Sequence, residues 1–491
     1  MEKWSIAFAD LVLTPNIAFK GVFISRGCPG EKLQIIMNTP EENIFNEGLL
    51  GNKAEACSRD LGRLQRRICM ISYSNYDTDN RVMRYAEALA GRGDQVDVLA
   101  VKGNRDQANA ETIRRVRVFR IFKRPPKNQQ SKVAYLQPIL KFWAVSSVRL
   151  SWRYLKHRYD LVHVHNLPDF LVFAAWLPKL AGAKVILDIH DIVPEFFASK
   201  FGAPGNSTMV SNLKRVERWS AGFSNHVIIS NHLWLKPFTS RSAPEHKCSV
   251  FINHVNQDIF YRREPLRRPD RRIIMFPGGL QWHQGLDIAI RAMPAVLKRI
   301  PGAEFHIYGD GNMKDELVAL ARELGLTETV RFFDPRPVSE IAEVMSQADL
   351  GVVPKRADSF GNEAYSTKIM EFLSLGVPMV VSSTKIDRFY FNDSVVRFFE
   401  SGNPAALAEA IVEVLQNDEL RRRMIANALV YAEQNSWQRR KGDYLELVDA
   451  LIENRPVQLG GSQTGTAPDT NSDREGQAAE TEAEADHVAV K

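Results

Sequence analysis

No stretch of this chain stays apolar for the roughly 18 residues that a membrane-spanning helix needs. The longest apolar run, FLVFAAWL at 170–177, is closed by Pro178 and Lys179, which argues against an integral membrane protein. The first residues carry Glu2, Lys3 and Asp10 and no clean apolar core before a small-residue cleavage site, so no secretory signal is read there. Cysteine is scarce: Cys28, Cys57, Cys69 and Cys248 are the four in 491 residues, and none has the paired spacing of a zinc site or a disulfide framework. That usage fits a reducing cytosol. Neither GxGxxG nor GxxxxGKS/T occurs, which removes the glycine-rich dinucleotide fingerprint and the P-loop.

Acidic residues are missing from one long segment. Between Thr112 and Tyr159 there are thirteen Lys or Arg and no Asp or Glu, a block of charge that needs a partner or a solvated face. The net charge of +6 understates this, because the tail at 456–491 holds seven acids against Arg474 and Lys491. That tail is rich in Gly, Ser, Thr, Ala and Glu and is expected to be disordered, since it cannot bury enough surface to offset its ordering entropy. Over the whole chain, 44% apolar and 25% charged residues are ordinary for globular protein, and the length suggests two or three domains.

From residue 67 the pattern alternates between strand and helix. Apolar runs predict strands at 68–73, 95–101, 116–122, 161–165, 185–189, 227–230 and 249–253, with a helix at 80–91 closed by glycine. The pattern then restarts after a link at 261–270. Strands are expected at 273–277, 304–308, 330–333, 350–354 and 379–382, and helices at 285–300, 313–324, 338–346, 366–375 and 404–416. Strands separated by helices imply parallel sheets, and two such units in series would bind a ligand between the carboxyl ends of their strands.

The amino end carries an internal repeat. Shifted by 215 positions, residues 8–45 fall without a gap on 223–260, with 11 of 38 identical, among them Val12, Arg26, Pro29, Lys32 and Asn38. One copy of about 40 residues is too short for a solenoid. Residues 1–66 are therefore read as an extension resembling a displaced fragment of a related first domain.

The second unit contains HIYGDG (306–311), ADLGVVP (348–354) and NEAYSTKIMEFLSLGVPMVVS (362–382), the last with Glu363 and Glu371 eight residues apart. Two acids at that spacing are more often a solvated helix face than a site. Set between a strand ending near Pro354 and a helix followed by Gly376, Val377 and Pro378, they gain meaning. Together these stretches resemble family 4 glycosyltransferases, the glycosyl transferases group 1, over roughly residues 67–452.

The resemblance implies an α/β, GT-B architecture: two Rossmann-like, doubly wound parallel-sheet domains facing across a cleft. Residues 67–262 would be the acceptor-side domain, 263–435 the nucleotide-sugar donor domain, 436–455 a helix crossing back to the first domain, and 456–491 the acidic tail. It implies transfer from a nucleotide-diphosphate sugar to a glycan or lipid-linked acceptor in cell-surface polysaccharide or glycoconjugate biosynthesis, with retention and with no metal and no cofactor. A nucleotide-sugar epimerase of the same fold and an inactive nucleotide-binding paralogue are the alternatives.

Roles follow on the matching positions. Glu371, in the helix, would accept hydrogen bonds from a ribose diol, and Glu363 would lie near the donor sugar. The free N–H groups of Ser366, Thr367 and Lys368 would form an anion site for the diphosphate, with Lys368 adding charge. A plain Ser/Thr cap with a surface lysine is the bland alternative. Gly278 and Gly279 allow close backbone approach, His283 could line the cleft, and Gly309 sits in HIYGDG. The family usually places an Arg and a Lys after this domain's first strand, where PGGLQWHQGLD has Leu280 or Gln281 and Gln284. Lys355, Arg356 or Lys368 would then supply the missing charge, or activity is altered or absent.

In the first unit, ILDIHDIVPEFF puts His190 and Asp191 just past a strand, resembling the family's HD-x-x-PE stretch. His190 would contact the donor sugar or acceptor, and Asp191 or Glu195 acceptor hydroxyls. The loop at 75–81, with Asn80, is the other cleft candidate. His163 and His165 share a strand face but show no third metal ligand in sequence. The basic block at 113–158 interleaves Trp143, Trp152 and Tyr154 with cations, which suits an anionic membrane surface; nucleic acid is not expected, for want of a recognisable module. The location expected is cytoplasmic, peripheral on the inner face of the membrane.

Overall fold

In the computed structural model the described residues are 12–14, 33–35, 65–103, 107–123, 132–201, 207–264, 270–358 and 360–459. Contacts divide the chain into residues 1–65 and 66–491. In the first part, β1 (Val12–Thr14) and β2 (Leu33–Ile35) pair in parallel, Val12 opposite Leu33. The shift of 215 that aligns the repeat carries this register onto two strands of the second part, where Val227 stands opposite Cys248. The remainder of the repeat, and the acidic tail from 460, lie outside the described residues.

The second part holds two sheets. The first contains β3 (Arg67–Ser72), β4 (Gln95–Lys102), β5 (Ala110–Ile113), β6 (Val116–Lys123), β7 (Leu161–His165), β8 (Lys184–Ile189), β9 (His226–Ile229) and β10 (Cys248–Val250), in the order β10-β9-β8-β7-β3-β4-β6-β5. All pairings are parallel except β5 with β6. The second sheet contains β11 (Arg272–Pro277), β12 (Ala303–Tyr308), β13 (Val330–Phe333), β14 (Leu350–Val353), β15 (Met379–Ser382) and β16 (Arg397–Phe399), all parallel, in the order β13-β12-β11-β14-β15-β16. In each sheet the chain runs outward from a central strand and then returns to its other side. The reversals fall between β3 and β7 and between β11 and β14, and such switch points are where open α/β sheets bind ligands.

Helices cover both faces of each sheet, which is why the strands read as nearly continuous apolar runs. The helix Asn80–Gly91 is capped by Asp79, whose carboxylate accepts the Val82 N–H at 3.2 Å. It packs Val82, Tyr85, Ala86 and Leu89 against one face of the first sheet. The same core layer takes Trp437, Tyr444, Leu447 and Val448 from the helix Trp437–Ile452, so the chain returns from the second domain to complete the first. Tyr444 stacks on Tyr85 at 4.2 Å, its hydroxyl meets His163 Nδ1 at 2.9 Å, and Arg92 reaches Asp449 at 3.0 Å. No helix among the described residues is long and apolar enough to cross a membrane.

Candidate active site

The two domains meet around a cavity of about 740 Å³. Its first-domain wall is the β3 loop and the first turns of the Asn80 helix, including Asp79, Asn80, Arg81 and Arg84, with His190 from the loop after β8. Thr367 and Glu371, on the helix Thr367–Leu375 that follows β14, face them from the second domain.

Asp188, at the end of β8, organises the first-domain wall. Arg81 grips both its oxygens, Nε at 2.8 Å and Nη2 at 2.7 Å. Oδ2 also lies 3.0 Å from His165 Nδ1 and 3.1 Å from His190 Nε2, which fixes the His190 ring and leaves Nδ1 as its other polar atom. Burial alone would raise the Asp188 pKa; Arg81 and His190 outweigh it and hold the carboxyl well below the usual range. His165 and His163 are buried, and burial pushes both down. His163, His165 and Asp188 bring three ligand atoms within 4.8 Å of one another, supplying the third group that sequence reading did not find. With Arg81 on both Asp188 oxygens, a cation there would sit against a guanidinium, so the trio fits a hydrogen-bond network better than a metal centre.

Glu371 is half-buried, and the desolvation of its carboxyl raises the pKa against the opposing pull of Lys368 and of Arg84 from the other domain. Arg84 donates from Nη2 to Asn253 Oδ1 at 3.1 Å, while its Nε has no protein partner. Burial pushes Arg84 down to about 10. Lys368 lies over the Phe276 ring at 5.2 Å and packs on Gly278, where a Cβ would overlap its Cε. Gly278 therefore makes room for Lys368. Burial lowers the Lys368 pKa, and Glu371 works against that. Ser366 precedes the helix, with a buried hydroxyl that caps nothing.

Of the residues singled out from sequence, His190, Asn80, Thr367 and Glu371 line this cavity, and Lys368 with Gly278 stands behind Glu371. Others are engaged elsewhere. The Glu363 carboxylate receives the Trp234 indole N–H at 3.3 Å and its carbonyl the Asn231 amide at 3.1 Å, a contact between the domains. Lys355, expected to touch the donor, is buried in an ion pair with Asp387 at 2.9 Å and donates to the Ala364 carbonyl at 2.8 Å. Arg356 pairs with Asp287 at 2.6 Å and stacks on Trp282 at 4.4 Å, so neither residue offers the diphosphate a free charge. Glu195, expected to bind acceptor hydroxyls, is gripped by Arg241 at 2.5 and 2.9 Å. The Asp191 carbonyl accepts from Asn166 at 2.8 Å, and burial raises the pKa of its carboxyl. His283 is held by Gln284 at 2.9 Å and lies edge-on to Phe360 at 5.1 Å. Gly309 abuts the Gly278 carbonyl, where a side chain would collide with backbone, whereas Gly279 abuts only the side-chain amide of Gln281.

Sequence reading reached Arg81 only as the end of the candidate loop at 75–81, without a role, and missed Arg84 and Asp188. Their trace was there in two arginines three apart in NRVMRYAEAL, on the helix side that also carries Tyr85, and in an aspartate inside the apolar strand ILDI.

Two family models match the chain: the glycosyl transferase 4-like domain over residues 78–254 and glycosyl transferases group 1 over 257–430. An uncharacterized glycosyltransferase of Methanocaldococcus jannaschii is 27% identical over 376 residues, 72% of this chain and 88% of that one. A phosphatidyl-myo-inositol mannosyltransferase of Mycobacterium leprae is 24% identical over 385 residues, 76% and 93% of the two chains. Among solved structures, Anabaena HepE (Alr3699) in complex with UDP and glucose matches with a TM-score of 0.59 at 17% identity, covering 79% of this chain and all of that one. That match speaks to fold.

Proposed function

The chain belongs to the GT-B group 1 glycosyltransferases, and from that premise we propose that this glycosyltransferase moves a sugar from a nucleotide-diphosphate donor to a glycan or lipid-linked acceptor, with retention and without a metal, in polysaccharide or glycoconjugate biosynthesis. The observation that carries the reading is the convergence of His190, Arg84, Thr367 and Glu371 on one cavity between the switch points of two parallel sheets. HepE, a fold neighbour that holds UDP and glucose, supports the donor class, and the mannosyltransferase relative supports a lipid-borne acceptor.

The chemistry asked of the site is to stabilise a departing diphosphate while the anomeric carbon gains positive charge. The unpaired N–H groups at the start of the Thr367 helix supply part of this. Lys368 supplies a point charge from the same side, and Arg84, with an unpartnered Nε, supplies another from the first domain. These two stand in for the Arg and Lys missing from the loop after β11. Glu371 takes the ribose diol, and His190, steadied by Asp188, meets the sugar or the acceptor. Domain closure over the pair excludes water.

Thermal shift across UDP-, GDP- and dTDP-sugars tests this directly. One donor should stabilise the chain by about 2.7 kcal/mol at a hundredfold excess over its Kd. Glu371→Ala should abolish that shift while the protein still folds cooperatively, and sugar transfer should disappear with it. No response to any donor sinks the proposal, and release of free epimer without acceptor points to the epimerase instead.

A further inference from the structure

The helix Lys132–Lys156 presents the clearest unpartnered surface among the described residues. Its outward positions include Leu136, Leu140, Ala144, Val148, Trp152 and Leu155, spaced three and four apart along one side. The five large ones are 45–76% exposed. The ridge runs roughly 30 Å at about 1.5 Å per residue. Its opposite side, with Phe142, Leu150 and Tyr154, is buried in the first-domain core. Tyr154 thus leaves the aromatic–basic surface expected from sequence, and Trp143 is only half-exposed.

The short helix Trp176–Leu180 packs beside this ridge and exposes Trp176 and Leu180. Seven of the twelve large apolar side chains exposed among the described residues lie on these two helices, a concentration that scattered surface residues would not produce. Lys141, Arg149 and Lys156 are exposed alongside, no acid interrupts the helix, and the Lys156 ammonium lies 3.7 Å from the Trp152 ring. A second cavity, about 370 Å³, opens next to Arg149, with Lys102 and Lys123 around Phe119, Ile121 and Phe122. Lys102 also lines the main cavity, so the two are neighbours.

We propose that this face seats the protein on an anionic membrane surface. The ridge dips into the acyl boundary, Lys141, Arg149 and Lys156 lie at headgroup level, and the second cavity receives the anionic head of a lipid-linked acceptor close to the donor. Apolar ridge and flanking cations together match an interfacial helix, whereas a soluble protein partner would leave the acid-free charge unexplained. The acceptor part rests on the transferase reading; the docking does not.

The test is co-sedimentation of the full chain with phosphatidylcholine vesicles, alone or containing phosphatidylglycerol. The chain should sediment with the anionic vesicles and stay in solution with the neutral ones. The triple variant Val148→Glu, Trp152→Glu, Leu155→Glu should lose this binding, and Lys141→Gln, Arg149→Gln, Lys156→Gln should weaken it by at least roughly tenfold. All six positions are exposed, so circular dichroism melts should match those of the parent. Donor binding without lipid should be unchanged in both variants, which separates failure of docking from failure of the transferase reading. The proposal is overturned if the parent ignores anionic vesicles or if the glutamate variant still binds them. It is equally overturned if ultracentrifugation shows a dimer that Trp152→Glu dissociates, since the ridge would then be a self-interface.

Discussion

Two carboxylates show how differently charge is used at single positions in this protein. Asp188 ties Arg81, His165 and His190 to one point on the cavity wall, and so acts on chemistry through its neighbours. Asp387 holds Lys355 in a buried ion pair that also takes in the Thr384 hydroxyl, beside the β14 loop. Lys355→Ala should therefore leave a buried, uncompensated carboxylate and cost about 3–5 kcal/mol in urea unfolding. Donor affinity of the folded fraction should not change; a selective loss of donor binding would return Lys355 to the diphosphate site. Sequence could not separate these cases, because a charged residue bound for burial is written with the same letter as one bound for solvent.

At the level of elements, legibility depends on whether hydrophobic pattern and burial agree. Apart from the three-residue edge strand β16, the parallel strands of the second part and the helix Asn80–Gly91 were readable because their apolar positions are their buried ones. The helix Lys132–Lys156 was not: it is apolar on both sides, so its periodicity does not say whether Phe142 or Trp152 faces the core. β5 also escaped, being the polar AETI. Its hairpin to β6 turns through Arg114 and Arg115 at φ of 45° and 69°, where glycine or asparagine would have announced the turn. Glycine at two helix boundaries offers a quantitative check. Gly376 ends the Thr367 helix at φ 71°, and a Cβ added there would meet no atom closer than 3.6 Å, whereas at Gly285, φ 67°, the Pro354 carbonyl stands in the way. Gly376→Ala should cost about 1–2 kcal/mol, the left-handed penalty alone. Gly285→Ala should cost distinctly more, because Pro354 belongs to the neighbouring strand end and must shift; equal melting temperatures would contradict this.

Across the whole molecule, acid sensitivity is set by four buried histidines, all of them in the first domain. His163, His165, His226 and His254 are all within the core, and burial depresses each, His226 to about 4. Below about 6.5 the unfolded chain takes up protons that the folded one refuses, so stability falls as pH falls. Asp169, raised by burial to about 7, works in the opposite sense, as do Asp191 and Glu371 to a lesser degree. The histidines prevail, and urea midpoints should drop between pH 7 and pH 5 by an amount equivalent to roughly 1–3 kcal/mol per pH unit. A midpoint that held steady would mean these rings are protonated in the fold. The two-domain plan itself was legible, since the strand–helix pattern restarts at the link; the meeting of the Asn80 helix with Glu371 was not, because it joins positions nearly three hundred residues apart.

The return of the Trp437 helix to the first domain has a further consequence for synthesis. Trp437, Tyr444, Leu447 and Val448 belong to a core whose other members lie between Ile68 and Phe251. On the ribosome, the first sheet must wait with one flank uncovered while the second domain is translated, and only the emergence of the helix Trp437–Ile452 lets it close. Premature termination anywhere before that point would release a protein with an open apolar flank, the kind of surface that makes incomplete chains prone to aggregate.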